Sequence, residues 1–340
     1  TKQPTKPPTK KPTQKPTVTT PPAAPASSDA REVLRLTNIE RANAGCPALT
    51  WNSRLATAAQ RHSADMAANN YFEHTSQDGR SPFQRMKDAG YSYSAAGLPL
   101  NRLSRFMLRG NVLSDELTLI DAMPGALYHN GCRVVIGPDG LLYATMGEAS
   151  ERDLAQDPAS LGGKTFRINP DGSIPAGNPF GNSPVWTLGH RNPQGLAFHP
   201  VTGALWSTEH GPEKRDELNI LRKGMNYGWP TCEGTAPVCG AIANYAPAIR
   251  QYEDNATIAI SDLVFYTGKA FPAWRNQLFF VSLKTGRLYR VTLDGERVAG
   301  EEILIDNTYG RLRDIAVGPD GFIYFSTDAD NGKILRLAPR

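Results

Sequence analysis

One strand–turn–strand unit recurs along the last two thirds of the chain, and it limits what the chain can fold into. Its copies are Val135-Ile-Gly-Pro-Asp-Gly-Leu-Leu-Tyr-Ala-Thr145, Ala197-Phe-His-Pro-Val-Thr-Gly-Ala-Leu-Trp-Ser-Thr208 and Ala316-Val-Gly-Pro-Asp-Gly-Phe-Ile-Tyr-Phe-Ser-Thr327. Phe271-Pro-Ala-Trp-Arg-Asn-Gln-Leu-Phe-Phe-Val-Ser282 is a looser copy. In each, two β-rich runs flank a tight turn of Pro, Gly, Asp or Asn. The prolines Pro138, Pro200, Pro272 and Pro319 are separated by 62, 72 and 47 residues. Further strands follow at Lys164–Ile168, Arg287–Val291 and Lys333–Leu337. A period in this range with about four strands per unit is the signature of propeller blades. The expected class is therefore mainly β: a β-propeller of about four blades, with part of another in residues 101–128. A β-sandwich is the alternative, but it would not repeat the hairpin in this way.

The chain before the repeats differs. Residues 1–28 are Thr, Pro and Lys repeats without the apolar content to form a core. They read as a semi-rigid, polyproline-like linker. Residues 29–90 have helical periodicity. Ser28 or Asp29 can cap a helix bearing Val33, Leu36 and Ile39, which Gly45 ends. Ser53 starts a second helix through Leu55, Ala59, His62 and Met66, and Ser81-Pro82 a third, to Ala89-Gly90.

Composition narrows the function. The net charge is +4, but residues 1–28 hold five lysines and no acid, so the remainder carries −1. That balance argues against nucleic-acid binding by the folded part. No apolar run approaches the roughly 20 residues that span a bilayer. Cys232 and Cys239 flank a turn-rich hexapeptide and can close a small disulfide loop or stand as free thiols; export favours the disulfide. Cys46 and Cys132 have no evident partner, and the cysteine spacing is not that of a zinc site.

Chemistry-bearing residues gather in the loops at the blade ends. His129 stands where the chain enters a blade, with Arg191-Asn192 and Gly211-Pro212 one blade on and Lys284, Arg311 and Arg313 in later blades. The set offers one base that titrates near neutrality, several fixed cations that suit a polyanion, and carbonyls that suit a hard cation such as Ca²⁺. A single Arg in such a place is usually a solvated surface residue; repetition at equivalent places weakens that reading. His62 and His74 read as packing or capping residues.

Two resemblances add to this. Asn43-Ala-Gly-Cys-Pro-Ala-Leu-Thr-Trp51, His62–Ser76 and Asp78-Gly-Arg-Ser-Pro-Phe83 resemble the bacterial CAP (SCP-like) family, an α/β/α domain. The likeness covers the first half of such a domain, residues 29–97, with His74 at the family's first cavity histidine and without its partners. From residue 98 to 340 the chain resembles the soluble sugar (glucose/sorbosone) dehydrogenases, six-bladed propellers dependent on pyrroloquinoline quinone (PQQ). The motifs are His129–Gly140, Ala155-Gln-Asp-Pro-Ala-Ser-Leu-Gly-Gly-Lys164, Gly189-His-Arg-Asn-Pro-Gln-Gly195, Glu209-His-Gly-Pro212, Asn226-Tyr-Gly-Trp-Pro230, Ser282-Leu-Lys-Thr-Gly286 and Arg311-Leu-Arg-Asp314.

The second resemblance implies roles. His129 would be the base that takes the proton of a sugar's anomeric hydroxyl, and Arg191 would stabilise charge on the reduced cofactor, with Asn192 beside it. Lys284, Arg311 and Arg313 would hold PQQ. The carbonyls of Gly211 and Pro212 would bind Ca²⁺, Glu217 and Tyr227 would serve a second, structural Ca²⁺, and Asp216 would orient the site. Cys132 departs from the family, which commonly has Gly there. Relative to six blades, about one and a half are missing, replaced by the half CAP domain. The expected function is an exported PQQ- and Ca²⁺-dependent aldose dehydrogenase, or a form of it inactivated by the missing blades, acting on a small sugar with a separate electron acceptor, located outside the cell, in a periplasm or at a cell surface and tethered through the linker. The alternatives are a non-enzymatic secreted binding protein and an unstable fusion product.

Overall fold

The computed structural model describes residues 28–46, 48–73, 75–80, 82–91, 100–233, 237–252 and 256–339. His74, Ser81, Gly97 and the 1–27 linker lie outside the described residues. Contacts divide the chain into two compact units at Ser94/Ala95.

The first unit is helical: α1 (Ser28–Asn43), α2 (Ser53–Asn69) and α3 (Pro82–Asp88). Ser28 is already helical, so it does not cap α1 from outside. Asn52 caps α2, its side chain accepting the N–H groups of Arg54 and Leu55. The apolar stripe of α1 remains exposed at Val33, Leu36 and Ile39. Nε2 of His62 bonds the Glu73 carbonyl at 2.8 Å, the local packing role that its apolar helix face implies.

The second unit is antiparallel β. Its strands are β1 (Leu100–Arg109), β2 (Val112–Pro124), β3 (Val134–Ile136), β4 (Leu142–Met146), β5 (Lys164–Ile168), β6 (Val185–Leu188), β7 (Pro193–Phe198), β8 (Leu205–Glu209) and β9 (Asp216–Leu221). They continue as β10 (Arg250–Tyr252), β11 (Ile260–Phe265), β12 (Leu278–Ser282), β13 (Arg287–Asp294), β14 (Arg297–Asp306), β15 (Leu312–Val317), β16 (Ile323–Thr327) and β17 (Ile334–Leu337). They form the sheets β1-β2, β3-β4-β5-β6, β7-β8-β9-β10, β11-β12-β13-β14 and β15-β16-β17. Each sheet of three or four strands is a meander, as a propeller blade requires. The hairpin β1-β2 is the partial blade expected at 101–128. The turns at Pro138, Pro200 and Pro319 join the first and second strands of their blades. The looser copy is placed differently: Pro272 begins a short 3-10 turn, and the first strand of that blade is β11, upstream of the copy.

The core sits between successive sheets. Leu119, Ile120 and Met123 of β2 pack with Ala144, Phe166 and Val185 of the next blade. Trp206, Leu218 and Ile220 pack with Leu263, Phe280 and Val291. Phe279, Val281 and Leu288 pack with Leu312, Ile315 and Phe325. A half-buried cation closes the middle. Arg133, just before β3, lies 3.1 Å from Asp262 on β11 and 3.2 Å from Asp314 on β15, and donates to the Gln194 carbonyl on β7 at 3.3 Å. The first strands of four blades thus meet through one guanidinium.

Burial, then the hydrogen bond with Asp314, raises the Asp262 carboxyl well above the usual carboxylate range. For Asp314, burial works against ionisation, but the bond from Asp262 and the charge of Arg133 hold it below its ordinary value. The folded state therefore binds a proton at Asp262 more tightly than the unfolded chain does. The unfolded chain releases that proton above about pH 4, so the folded state binds more protons and stability falls as pH rises from there. Asp262→Asn mimics the protonated acid, and its melting temperature between pH 4 and 8 is expected to slope less steeply than that of the parent. Equal slopes would contradict this assignment.

Candidate active site

Antiparallel pairing places the start of a blade's first strand and the end of its second at one end of the sheet. Pro193 pairs with Glu209, Ile260 with Ser282, and Leu312 with Thr327. Arg191, Asn192, Gly211, Lys284, Arg311 and His129 all follow or precede such positions. They lie at the blade ends opposite the Pro-Asp-Gly turns.

His129 has a left-handed backbone (φ 60°), uncommon for a residue with a side chain. Its Nδ1 is 2.7 Å from Oε1 of Glu148, which is 1% exposed. A carboxylate can only accept, so Nδ1 carries the hydrogen and Nε2 is left as the basic nitrogen. The Ala149 N–H donates to the His129 carbonyl at 2.9 Å. Gly147 makes this approach possible, since a Cβ there would lie 2.1 Å from that carbonyl oxygen. Cys132, with φ 91° and an exposed thiol, follows in the same loop.

Arg191 and Asn192 are bound into the same structure. The Arg191 carbonyl accepts the Glu148 N–H at 2.9 Å, and Asn192 Oδ1 accepts the Gly131 N–H at 3.1 Å. The Arg191 guanidinium donates to the His210 carbonyl at 3.3 Å and lies 5.3 Å from the centre of the Trp229 ring. Burial lowers its pKa against the fields of Glu148 and Glu209. Its Nε, Glu148 Oε2 and His210 Nε2 are buried without a hydrogen-bond partner among the described residues. Burial also pushes His210 down to about 4, so the ring is neutral at physiological pH. Orphaned polar atoms of this kind need a ligand or water.

The Gly211–Pro212 loop is tight: a Cβ on Gly211 would lie 2.1 Å from the Lys214 carbonyl. Its N–H donates to Asp216 Oδ1 at 2.8 Å, and Asp216 is fixed by Thr257 at 2.8 and 2.7 Å and by the Ile260 N–H at 3.2 Å. Neither the Gly211 nor the Pro212 carbonyl accepts a hydrogen bond among the described residues. Open carbonyls on a rigid loop suit a hard cation. Glu217 and Tyr227 are more committed. Glu217 accepts from Asn219 at 3.1 Å and Gln251 at 3.0 Å, and desolvation, with Glu209 nearby, pushes it up to about 7. The Tyr227 hydroxyl donates to the Ile220 carbonyl and accepts from the Arg222 N–H. Among the described residues no group of three or more His, Cys, Asp or Glu side chains could hold a metal.

Of the remaining cations, Lys284 is exposed. Arg311 and Arg313 share Asp328, at 2.8 and 3.1 Å, and Arg313 donates to Gln194 Oε1 at 3.2 Å. Gln194 in turn donates to Asn192 Oδ1 at 3.1 Å. The structure therefore links His129's loop, Asn192, Arg313 and Arg311 in one polar chain. Glu148, Gln194, His210 and Asp328 are the members that sequence reasoning missed. Each lies in or beside a quoted motif or at a strand end, the signal that could have found them. Cys232 and Cys239 are disulfide-bonded, with Cα atoms 5.1 Å apart.

Lys164, fully buried, supports the site from behind. Its ammonium donates to the carbonyls of Leu154, Ala155 and Gly162 at 2.6, 3.1 and 2.6 Å. Burial pushes its pKa down to about 7. The Ala155 carbonyl also accepts the Gly189 N–H at 2.9 Å, which ties the 152–163 loop to the Arg191 segment.

A carboxylate-oriented imidazole and several cations thus lie at one end of the sheets. The Glucose / Sorbosone dehydrogenase family matches residues 89–336, and the chain belongs to that family. The Cysteine-rich secretory protein family matches residues 34–122, overlapping the first match. The aldose sugar dehydrogenase YliI of Escherichia coli is 35% identical over 274 residues, 76% of this chain and 72% of that protein. Quinoprotein glucose dehydrogenase B of Acinetobacter calcoaceticus is 31% identical over 300 residues, and the chain spans 63% of its length. The PQQ-bound aldose sugar dehydrogenase of Streptomyces coelicolor superposes with a TM-score of 0.61 at 34% identity, covering 70% of this chain and 71% of that one.

Lys164→Met removes the donor and leaves the Leu154 and Gly162 carbonyls without it, while Ala155 keeps the Gly189 N–H. An unmet buried acceptor costs about 1–3 kcal/mol. Chemical denaturation is expected to show a loss of at least about 2 kcal/mol, and a loss below 0.5 would remove Lys164 from this role.

Proposed function

We propose that the chain acts as a PQQ- and Ca²⁺-dependent aldose dehydrogenase, with His129 as its base. The observation that carries this reading is the His129–Glu148 pair, at 2.7 Å, in a loop of a sugar-dehydrogenase fold. When bound, PQQ supplies the two-electron acceptor that takes the hydride from the sugar's anomeric carbon. The residues present fit that group: orphaned Arg191 Nε and His210 Nε2, exposed Lys284, and the Arg311–Arg313 pair suit a flat polyanion. Arg191 and Asn192 would face the quinone, and Lys284, Arg311 and Arg313 its carboxylates. The carbonyls of Gly211 and Pro212 would hold Ca²⁺, which serves as a Lewis acid. Glu217 and Tyr227 are assigned to a second ion, which would have to draw the Glu217 carboxylate from its amide donors.

The chain's own part in the reaction follows from the imidazole. Nε2 of His129 removes the anomeric hydroxyl proton as the carbon–hydrogen bond breaks, and Glu148 stabilises the imidazolium that forms. Arg191 places positive charge where negative charge develops. We assign residues 29–97 to a partial CAP-like domain and 98–340 to the dehydrogenase domain. We further assign the Thr/Pro/Lys tract to tethering an exported protein. No helix among the described residues is long and apolar enough to cross a membrane.

Purified protein titrated with PQQ and Ca²⁺ is expected to shift the PQQ absorbance and to reduce a dye with glucose. With neither a shift nor reduction, the reading fails. His129→Ala is expected to keep the shift and to lower kcat at least about 100-fold.

Glu148→Gln tests the tautomer argument separately. The carboxamide can donate to Nδ1 and leave the proton on Nε2. The expected result is a kcat loss of about 10²–10³ with PQQ affinity unchanged. Full activity would show that Glu148 does not set the proton.

A further inference from the structure

A second imidazole–carboxylate pair lies behind the candidate active site, and no role above uses it. His190 is fully buried and Glu209, the last residue of β8, is 4% exposed. Glu209 Oε2 lies 2.8 Å from His190 Nδ1, and its Oε1 accepts the backbone N–H of Arg191. His190 Nε2 is 2.8 Å from the Thr187 hydroxyl, and the ring stacks on Tyr227 with centroids 4.8 Å apart and planes 21° apart. The His190 N–H donates to the Gly163 carbonyl at 3.2 Å. The Arg191 N–H of this segment is thus held by Glu209 and the His190 N–H by the Gly163 carbonyl. The next peptide continues the chain of contacts, because the Arg191 carbonyl accepts the N–H of Glu148, whose side chain orients His129.

We propose that Glu209, braced by His190, is the positioning residue that aims Arg191 and, through the Arg191 carbonyl and Glu148, holds His129 in register with it. The proposal deepens the dehydrogenase reading and rests on it. Geometry carries it: one carboxylate spans a rigid, buried imidazole and the backbone of the residue assigned to charge stabilisation. A carboxylate bound at both oxygens fixes the plane of the Arg191 N–H, and with it the direction in which the guanidinium and the Asn192 side chain leave the chain. A small error in such direction costs far more in turnover than in sugar binding.

The test compares Glu209→Ala, Glu209→Asp and Glu209→Gln. Gln keeps an oxygen for the Arg191 N–H and can donate to His190 in its other tautomer. Asp is one methylene too short to span both partners, and it serves as the deletion if the Ala variant does not fold. With PQQ, Ca²⁺ and glucose, Ala or Asp is expected to lower kcat about 100-fold with KM for glucose changed less than threefold. Gln is expected to restore kcat to within about fivefold of the parent. Equal kcat for Asp and Gln, or a loss confined to KM, would overturn the proposal. A second readout needs no cofactor: in ¹⁵N-histidine-labelled protein, the His129 ring signals, identified by their absence in His129→Ala, should move in Asp and stay in Gln. If turnover is absent in the parent, the dehydrogenase reading fails alone. If the His129 signals are unmoved in every variant, the coupling proposed here fails.

Discussion

Four first strands meet around Arg133, and the arrangement of the molecule's polar residues depends on that meeting. The guanidinium touches Asp262, Asp314 and the Gln194 carbonyl, each from a different blade. Charges in such a place are desolvated, and their mutual attraction offsets that cost only where geometry is close. The raised proton affinity of Asp262 lessens the cost of setting two carboxyls beside Arg133. Once the first strands are set about this cation, the loops that enter them converge at one end.

That convergence brings together residues far apart in the chain. Asn192 and Arg313 are joined by the two ends of the Gln194 side chain, and Arg313 and Arg311 by Asp328. The polar groups left over, Arg191 Nε, Glu148 Oε2 and His210 Nε2, are buried without partners among the described residues. A folded protein keeps such atoms rarely, and their presence together marks the place where a ligand completes the hydrogen bonding. Two buried groups beside the site do the opposite. Lys164 satisfies all three of its donors, and Tyr227 both sides of its hydroxyl.

The sheets are not uniform. Among the described residues three have four strands, the last has three and the first is the hairpin β1-β2. The hairpin carries exposed apolar side chains at Phe106, Met107, Leu108, Val112 and Leu113, and Val134 and Ile136 of β3 are exposed as well. Such edges and faces are normally paired or covered in β proteins. The blades from β3 onward have dense cores between sheets, and the candidate site lies on them.

Much of the architecture was legible in the residues. Pro-Asp-Gly turns at Pro138 and Pro319 and the Pro-Val-Thr-Gly turn at Pro200 dictate hairpins through local backbone chemistry, so three of the four repeats fall at the first two strands of a blade. The fourth was misplaced because Phe271-Pro-Ala-Trp274 has the composition of a strand–turn unit and folds as a 3-10 turn; β11 lies upstream of it. The candidate site residues, His129, Arg191 and the Gly211–Pro212 loop, stood out by residue type and loop position. Their partners were not. Glu148 lies 19 residues from His129, and Gln194 lies 119 from Arg313. Which carboxylate orients an imidazole, and which amide bridges two blades, depends on through-space distances of about 3 Å that no spacing along the chain encodes. The sequence by itself determined the repeats, the hairpins and the candidate residues, because turn geometry and side-chain chemistry are local. Tertiary structure alone decided which of those residues meet, which atoms are left without partners, and which carboxyl of the Asp262–Asp314 pair is pushed up.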